Sequence, residues 1–208
     1  MRPTPGQLVA LHDTPFGSVQ IRYPNGEDAQ GMLDYINALS AERTYVSMQG
    51  EQFELEDEEA FLFARLEEIA LERSVTLLAT FGERVIGITH IAKHGRVEEH
   101  VAGFGISVSK DFRGCGLGNA LMTHVIAEAE RVIDGLRIIM LDVYSANEPG
   151  INLYRKHGFE EFGRLREGLL HNGVYLDRVM MARHIVPPAK PKRARRTSKK
   201  AVENPETT

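Results

Sequence analysis

GFGISVSKDFRGCGLGN, residues 103–119, is the stretch on which the reading turns. An extended segment ends near Ser109, passes through Arg113-Gly114-Cys115-Gly116-Leu117-Gly118, and gives way to a helical run starting at Gly116 and reaching about Val132. The first four backbone N–H groups of a helix have no internal partner. Glycines let the chain curl around a ligand without Cβ clashes, so several N–H groups converge beside the positive end of the helix dipole. Such a turn suits a diphosphate, and Arg113 adds a permanent cation at its rim.

Other phosphate loops fit this stretch less well. No Gly-Lys-Ser/Thr is present, which excludes the NTPase loop, and the dinucleotide fingerprint wants a third glycine where Asn119 stands. A glycine-rich strand-to-helix turn without a ligand is the plainer alternative. The sequence after the turn decides between them.

Working outward, the chain alternates strands and helices. Ser18–Arg22 reads as a short strand and Asn25–Leu39 as a helix capped by Asn25, with Met32, Leu33, Ile36 and Leu39 on one face. Asp57–Arg73 has Phe61, Leu62, Leu66 and Ile69 at helical spacing, and the acids Glu56 to Glu59 complement the dipole at its start. Val75–Thr80 and Arg84–Ala92 form a hairpin, followed by a longer strand over Glu99–Ser109. Past the helix, the apolar run Leu136–Tyr144 predicts a central strand buried on both faces. Pro149–His157 is a short helix stopped by Gly158, and strands over about Phe162–Leu169 and Val174–His184 flank Asn172-Gly173, a strong hairpin signal. The order β-α-α-β-β-β-α-β-α-β-β describes an α/β (α+β) layer with a mixed, mostly antiparallel sheet flanked by helices. Residues 1–17 read as an N-terminal extension, 18–186 as one domain, and 187–208 as a tail.

Two ordered motifs carry a family resemblance. Arg113-Gly114-Cys115-Gly116-Leu117-Gly118 after a strand matches Q/R-x-x-G-x-G/A, and Asn147 followed by Leu153-Tyr154-Arg155-Lys156-His157-Gly158-Phe159 is similar to N…LYxKxGF. In these the chain resembles the GNAT superfamily of acyl-CoA-dependent N-acetyltransferases. The resemblance implies acetyl-CoA as co-substrate, bound where the strand 99–109 and the strand 136–144 splay apart, with no metal. The backbone of Ile106, Ser107 and Val108 would pair with the pantetheine, and Asn147 would hydrogen-bond that arm. The N–H groups of Arg113, Gly114, Cys115, Gly116, Leu117, Gly118 and Asn119 would hold the pyrophosphate. A helix cap is the bland role for Asn147, and both can hold.

Transfer to an amine needs a neutral nucleophile, a stabilised carbonyl oxygen and a protonated leaving thiolate. A backbone N–H near Ile106 is the candidate oxyanion donor. Tyr154 is the candidate acid, because a phenol of pKa about 10 is protonated where a thiolate of about 8.5 departs; a core aromatic sharing a face with Ile151 is its structural alternative. Many relatives carry a Glu ten residues before the motif arginine, where this chain has Gly103. His100, with an unperturbed pKa of about 6.5, is the candidate base, and Glu98, Glu99 or a water relay stay open. Cys115 sits at a variable loop position, which favours direct transfer in a ternary complex over a covalent route. A non-catalytic acyl-CoA sensor is the alternative function.

Composition sets the remaining bounds. The 208 residues are 42% apolar and 26% charged, ordinary for a globular chain long enough to bury a core. One cysteine precludes an intrachain disulfide, and no run approaches a membrane span, so a cytoplasmic protein is expected. The net charge of −4 divides into +5 on 187–208 and −9 on the rest. The acidic body weakly favours a cationic acceptor, although net charge also simply keeps a protein soluble. The basic tail reads as disordered, with at most weak contact to nucleic acid. The partners implied are acetyl-CoA and an amine of unspecified identity (a protein N-terminus, an amino acid or a small amine), and the resemblance allows a homodimer.

Overall fold

The computed structural model describes residues 2–185. The segment 187–208, read from sequence as a disordered tail, lies outside the described residues. Eight strands form one sheet in the order β1-β2-β3-β4-β5-β6-β8-β7. They are β1 Leu8–Thr14, β2 Gly17–Arg22, β3 Ser74–Phe81, β4 Arg84–Lys93, β5 Val101–Val108, β6 Ile138–Tyr144, β7 Glu160–His171 and β8 Val174–His184. All neighbours are antiparallel except β5 and β6. Helices α1 (Ala29–Ala41) and α2 (Leu55–Ala70) cover one face around Met32, Leu39, Leu62 and Leu78. Helices α3 (Leu117–Val132) and α4 (Glu148–Lys156) cover the other, where Leu121, Val125, Ile139 and Phe159 form the larger core. This is the mixed, mostly antiparallel layer expected from the element order.

Two expectations are corrected. Residues 8–14, inside the stretch read as an extension, pair with β2 as an edge strand. Leu8 and Leu11 are 52% and 63% exposed and the register slips between Leu8 and Ala10, so no buried alternation marks this strand in the sequence. The other concerns Leu136–Tyr144, read as buried on both faces. In β6, Ile139, Leu141 and Val143 are buried while Asp142 is exposed, and the strand buried throughout most of its length is β3. The second face of β6 is occupied by a cleft.

Local chemistry fixes the turns that hold this frame. Asn172 and Gly173 have φ of 49° and 77°, the two-residue hairpin with both central residues left-handed. At the entry to α1, Asn25 Oδ1 accepts the Glu27 N–H and Asp28 returns a bond to the Asn25 N–H. Arg22 grips the same Asp28 carboxylate with two nitrogens, at 2.7 and 2.5 Å, so β2 and the start of α1 are joined by one buried fork.

Candidate active site

The parallel pair β5–β6 is held by only three residue pairs, Val101 with Ile138, Ala102 with Ile139 and Gly103 with Met140. Beyond Gly103 the strands part, while β4 stays on β5 as far as Val108. The direction of the free backbone follows from the bonds at either end of β5. The Val101 carbonyl accepts from His94 and the Ser109 N–H donates to Ile86, both on the β4 side. Odd-numbered residues of β5 therefore turn their backbone to β4, and even-numbered ones turn it to the gap. Ile106 turns both of its backbone groups to the cleft and Val108 its N–H, the Val108 carbonyl being taken by Arg113. Ser107 does not, since its backbone faces β4 and its hydroxyl accepts the Tyr35 O–H at 2.7 Å on the α1 side.

At the open end of the gap lies the glycine loop. Gly114 and Gly116 have φ of 78° and 86°, a conformation costly for other residues, and Gly116 caps α3 with no side chain bonding the first-turn N–H groups. The first turn, Leu117, Gly118 and Asn119, thus presents donors and the positive end of a helix dipole. Gly118 faces α4, where a Cβ would only just reach contact with Leu153 at 3.4 Å. The Asn119 side chain pairs with His157 Nε2 at 3.2 Å, tying the start of α3 to the end of α4. Cys115 donates its thiol to the Phe112 carbonyl, and its own carbonyl bonds His12 Nε2 of β1 at 3.3 Å. Arg113 lies at the rim of the loop lobe, as expected, and carries an ion-pair partner there. Its guanidinium donates to Glu42 at 2.6 Å and to the Val108 carbonyl at 2.9 Å, so its charge is already paired.

The cleft between these parts has two adjoining lobes. A lobe of about 390 Å³ touches Arg113, Gly114, Gly118 and Asn147, and one of about 850 Å³ reaches Phe61, His90 and Glu58; both are lined by Ile106, Asn147 and Tyr154. Asn147 Oδ1 accepts the Gly150 N–H at 3.1 Å, so the residue does cap α4, and its Nδ2 makes no hydrogen bond among the described residues. Tyr154 is 9% exposed, with its ring 6.0 Å from Phe104 and 6.2 Å from Phe159. Burial pushes its hydroxyl up to about 12, so it stays protonated through the neutral range. It is at once a core aromatic and a wall of the cleft.

The candidate base is not brought into this assembly. His100 is exposed and precedes β5, and its carbonyl accepts the Arg137 and Ile138 N–H groups at the closed end of the β5–β6 gap. It is six residues from Ile106 along an extended chain, about 20 Å. Glu98 and Glu99 lie in the turn before it. Sequence reasoning missed two titratable groups that do line the cleft. His90 of β4 lies over Gly105, where a Cβ would stand only 2.5 Å from its Cε1. Burial, with a smaller contribution from Arg65, lowers its pKa to about 4, so the ring is neutral. Glu58 of α2 is 8% exposed, and burial pushes its carboxyl up. The available signal for His90 was strand alternation with Ile88, opposite a glycine. Glu58 was hidden in an acid run that a helix start explains.

The site is thus a split sheet whose open edge runs to a glycine-opened helix start with free first-turn N–H groups. The chain belongs to the GNAT acetyltransferase family, whose family model matches residues 34–159, more than half of it. An L-amino acid N-acetyltransferase of Escherichia coli K12, AaaT, is 41% identical over 86 residues, which are 40% of this chain and 51% of the relative. The [ribosomal protein bS18]-alanine N-acetyltransferase of the same organism is 40% identical over 58 residues, 28% of this chain and 38% of that one. The chain thus aligns with about half or less of the length of these relatives. Among solved structures, a GNAT-family acetyltransferase from Streptococcus pneumoniae superposes with a TM-score of 0.73 at 27% identity, covering 80% of this chain and 99% of that one. The yncA protein of Salmonella typhimurium, solved with its cofactor acetyl-CoA, gives 0.71 at 19% identity over 84% and 98% of the two chains.

Proposed function

We propose that this protein transfers an acetyl group from acetyl-CoA to a primary amine, directly and within one ternary complex. The carrying observation is that two adjoining lobes, one at the glycine loop and one deeper, share Ile106, Asn147 and Tyr154 as walls beside the open edge of β5. The residues fit the donor. The first-turn N–H groups of α3 match a pyrophosphate, the open backbone groups of Ile106 and the Val108 N–H match the amides of pantetheine, and Asn147 Nδ2 is a further donor beside them. Acetyl-CoA supplies the activated thioester. The amine nitrogen bonds to the acetyl carbon, the carbon–sulfur bond breaks, and the products are an amide and CoA thiol.

Each remaining task falls to a residue of the chain. The Ile106 N–H faces the gap and is the donor for the carbonyl oxygen as it gains charge. Tyr154 hydrogen-bonds the departing sulfur. With its hydroxyl near 12 and a thiol near 8.5, outright proton donation is uphill by about 5 kcal/mol. Tyr154 therefore stabilises the thiolate, and of the two protons an ammonium acceptor gives up, the one lost from nitrogen after attack completes the thiol while the one lost before attack goes to water. His90 is a poor proton store, since an alkylammonium near 10.4 lies about 9 kcal/mol below an imidazole near 4. The ammonium's first proton leaves through water in the open cleft. No helix among the described residues is long and apolar enough to cross a membrane, and we place this activity in the cytoplasm, where acetyl-CoA and amines meet.

The test is thiol release from acetyl-CoA against a panel of primary amines, with acetyl-CoA binding followed in parallel by thermal shift. Amine-dependent release supports transfer. Stabilisation by acetyl-CoA with no release from any amine would favour a sensor of the donor instead.

A further inference from the structure

The larger lobe of the cleft has mostly apolar walls and ionised side chains of one sign. Ile36, Met48, Phe53, Phe61 and Phe104 make it apolar. Its charged lining residues are Asp57, Glu58 and Asp142, and no Lys or Arg lines it. Two of those carboxylates are occupied. Asp57 closes the capping box of α2 by accepting the Glu54 N–H at 3.4 Å, and Asp142 lies 3.8 Å from Arg178. Glu58 is different: the residue is 8% exposed and its carboxylate has no hydrogen bond or ion pair among the described residues.

A helix start explains why acids are found at 56–58, because they complement the dipole from an exposed surface. It does not explain why one of them is turned into the cleft and partly desolvated without a partner, an arrangement that costs the folded chain stability. A cation arriving in the lobe removes that cost. Resting on the transferase reading above, we infer that the acceptor is a primary amine with an apolar body, paired through its ammonium to Glu58 and bearing no carboxylate beside the amine.

The second half of that statement follows from the same walls. A free amino acid would bring its carboxylate into a lobe lined by three carboxylates and no cation. Arg65 stacks over the Phe61 ring at 4.9 Å and Arg178 lies 3.8 Å from Asp142, and neither is part of the lining. An amine whose neighbouring group is an amide or a plain carbon meets no such repulsion. The lobe of about 850 Å³ has room for an aromatic or branched side chain beside the amine. A polypeptide N-terminus and a small apolar amine share this chemistry, and the experiment separates them.

Steady-state rates of thiol release are measured on the full chain at saturating acetyl-CoA with L-phenylalanine, L-phenylalaninamide, a tripeptide amide beginning with phenylalanine, and phenethylamine. The amide or amine acceptors should exceed the free acid by at least about tenfold in kcat/KM. The ratio of tripeptide to phenethylamine then tells a polypeptide N-terminus from a small amine. Glu58→Gln should raise the acceptor KM by about tenfold or more, with kcat within about threefold and the KM for acetyl-CoA unchanged. Glu58→Asp keeps the charge and should fall between the two. Because removing an unpaired buried charge leaves Tm equal or higher, misfolding of Glu58→Gln is ruled out by the same thermal scan that shows the effect.

A free acid used as well as its amide overturns this inference alone, and Arg65→Met would then show whether Arg65 receives the carboxylate. A fall in kcat at unchanged acceptor KM in Glu58→Gln also overturns it, assigning Glu58 to proton removal. Failure of acetyl-CoA either to bind or to be consumed with any acceptor overturns the transferase reading, and this inference with it.

Discussion

The His90 ring occupies the space that a side chain at Gly105 would need: a Cβ on Gly105 would sit 2.5 Å from Cε1 and 3.1 Å from both ring nitrogens. The glycine is what allows an imidazole to lie against the strand whose edge borders the cleft. Gly105→Ala should therefore displace the ring and reshape the acceptor lobe. A stability loss of about 1–3 kcal/mol is expected from the overpacking. Urea denaturation measures it, and acceptor KM should rise while acetyl-CoA binding holds.

His90 also bends the pH dependence of stability. Its folded-state pKa, about 4, lies below the ordinary 6.5, so between those values the unfolded chain binds a proton that the native chain refuses. The contribution is fully present above pH 6.5 and is lost as pH falls toward 4. Its full size is about 3 kcal/mol. Glu58, pushed up by burial, has the opposite sign: its contribution is present below the ordinary carboxylate range and lost as pH rises through its raised value. Chemical denaturation from pH 4 to 7.5 should show His90→Gln flattening the rise with pH and Glu58→Gln steepening it. Parallel curves for both variants and the parent would sink this account.

Tyr154→Phe retains the ring packing on Phe104 and Phe159 and removes one hydroxyl. The kcat should fall by about a hundredfold, the lower end of the range for acid–base groups, because this phenol stabilises the thiolate without fully donating. Acetyl-CoA affinity should be unchanged, as read by calorimetry. An unaltered kcat would return Tyr154 to a purely structural role.

Asn147 allows its two roles to be separated. Asn147→Asp keeps an acceptor for the Gly150 N–H and so keeps the α4 cap, but it loses the Nδ2 donor that faces the cleft. Asn147→Ala loses both. The Asp variant should weaken acetyl-CoA binding at unchanged Tm, while the Ala variant should weaken binding and lose about 1 kcal/mol of stability. Equal Tm and equal affinity in all three proteins would remove Asn147 from the donor site.

Much of this architecture was legible from local patterns. The loop 113–119, the hairpin at Asn172-Gly173 and the helix with Tyr154 follow from turn chemistry and periodicity, which short windows contain. The splay of β5 from β6 came with the family resemblance. What was hidden depends on partners far apart in sequence. His100 looked suitable because it is near the motif in the chain, yet the strand carries it to the closed end of the gap. His90 and Gly105 meet only because β4 and β5 pair in one register. Glu58 has the same composition as its exposed neighbours, and only the fold turns it inward. The pairing of Arg113 with Glu42, across 71 positions, left no local trace either.

The contact between His12 and the Cys115 carbonyl gives the beginning of the chain a stake in the donor site. An edge strand with a single neighbour frays readily, so a ligand that stiffens the loop at Cys115 should also slow amide exchange across Leu8–Thr14. A fusion partner or affinity tag placed directly ahead of that strand would then tug on the loop from the remote end of the polypeptide. A tag beyond β8 would leave that coupling intact, making it the sounder choice for any measurement of donor affinity.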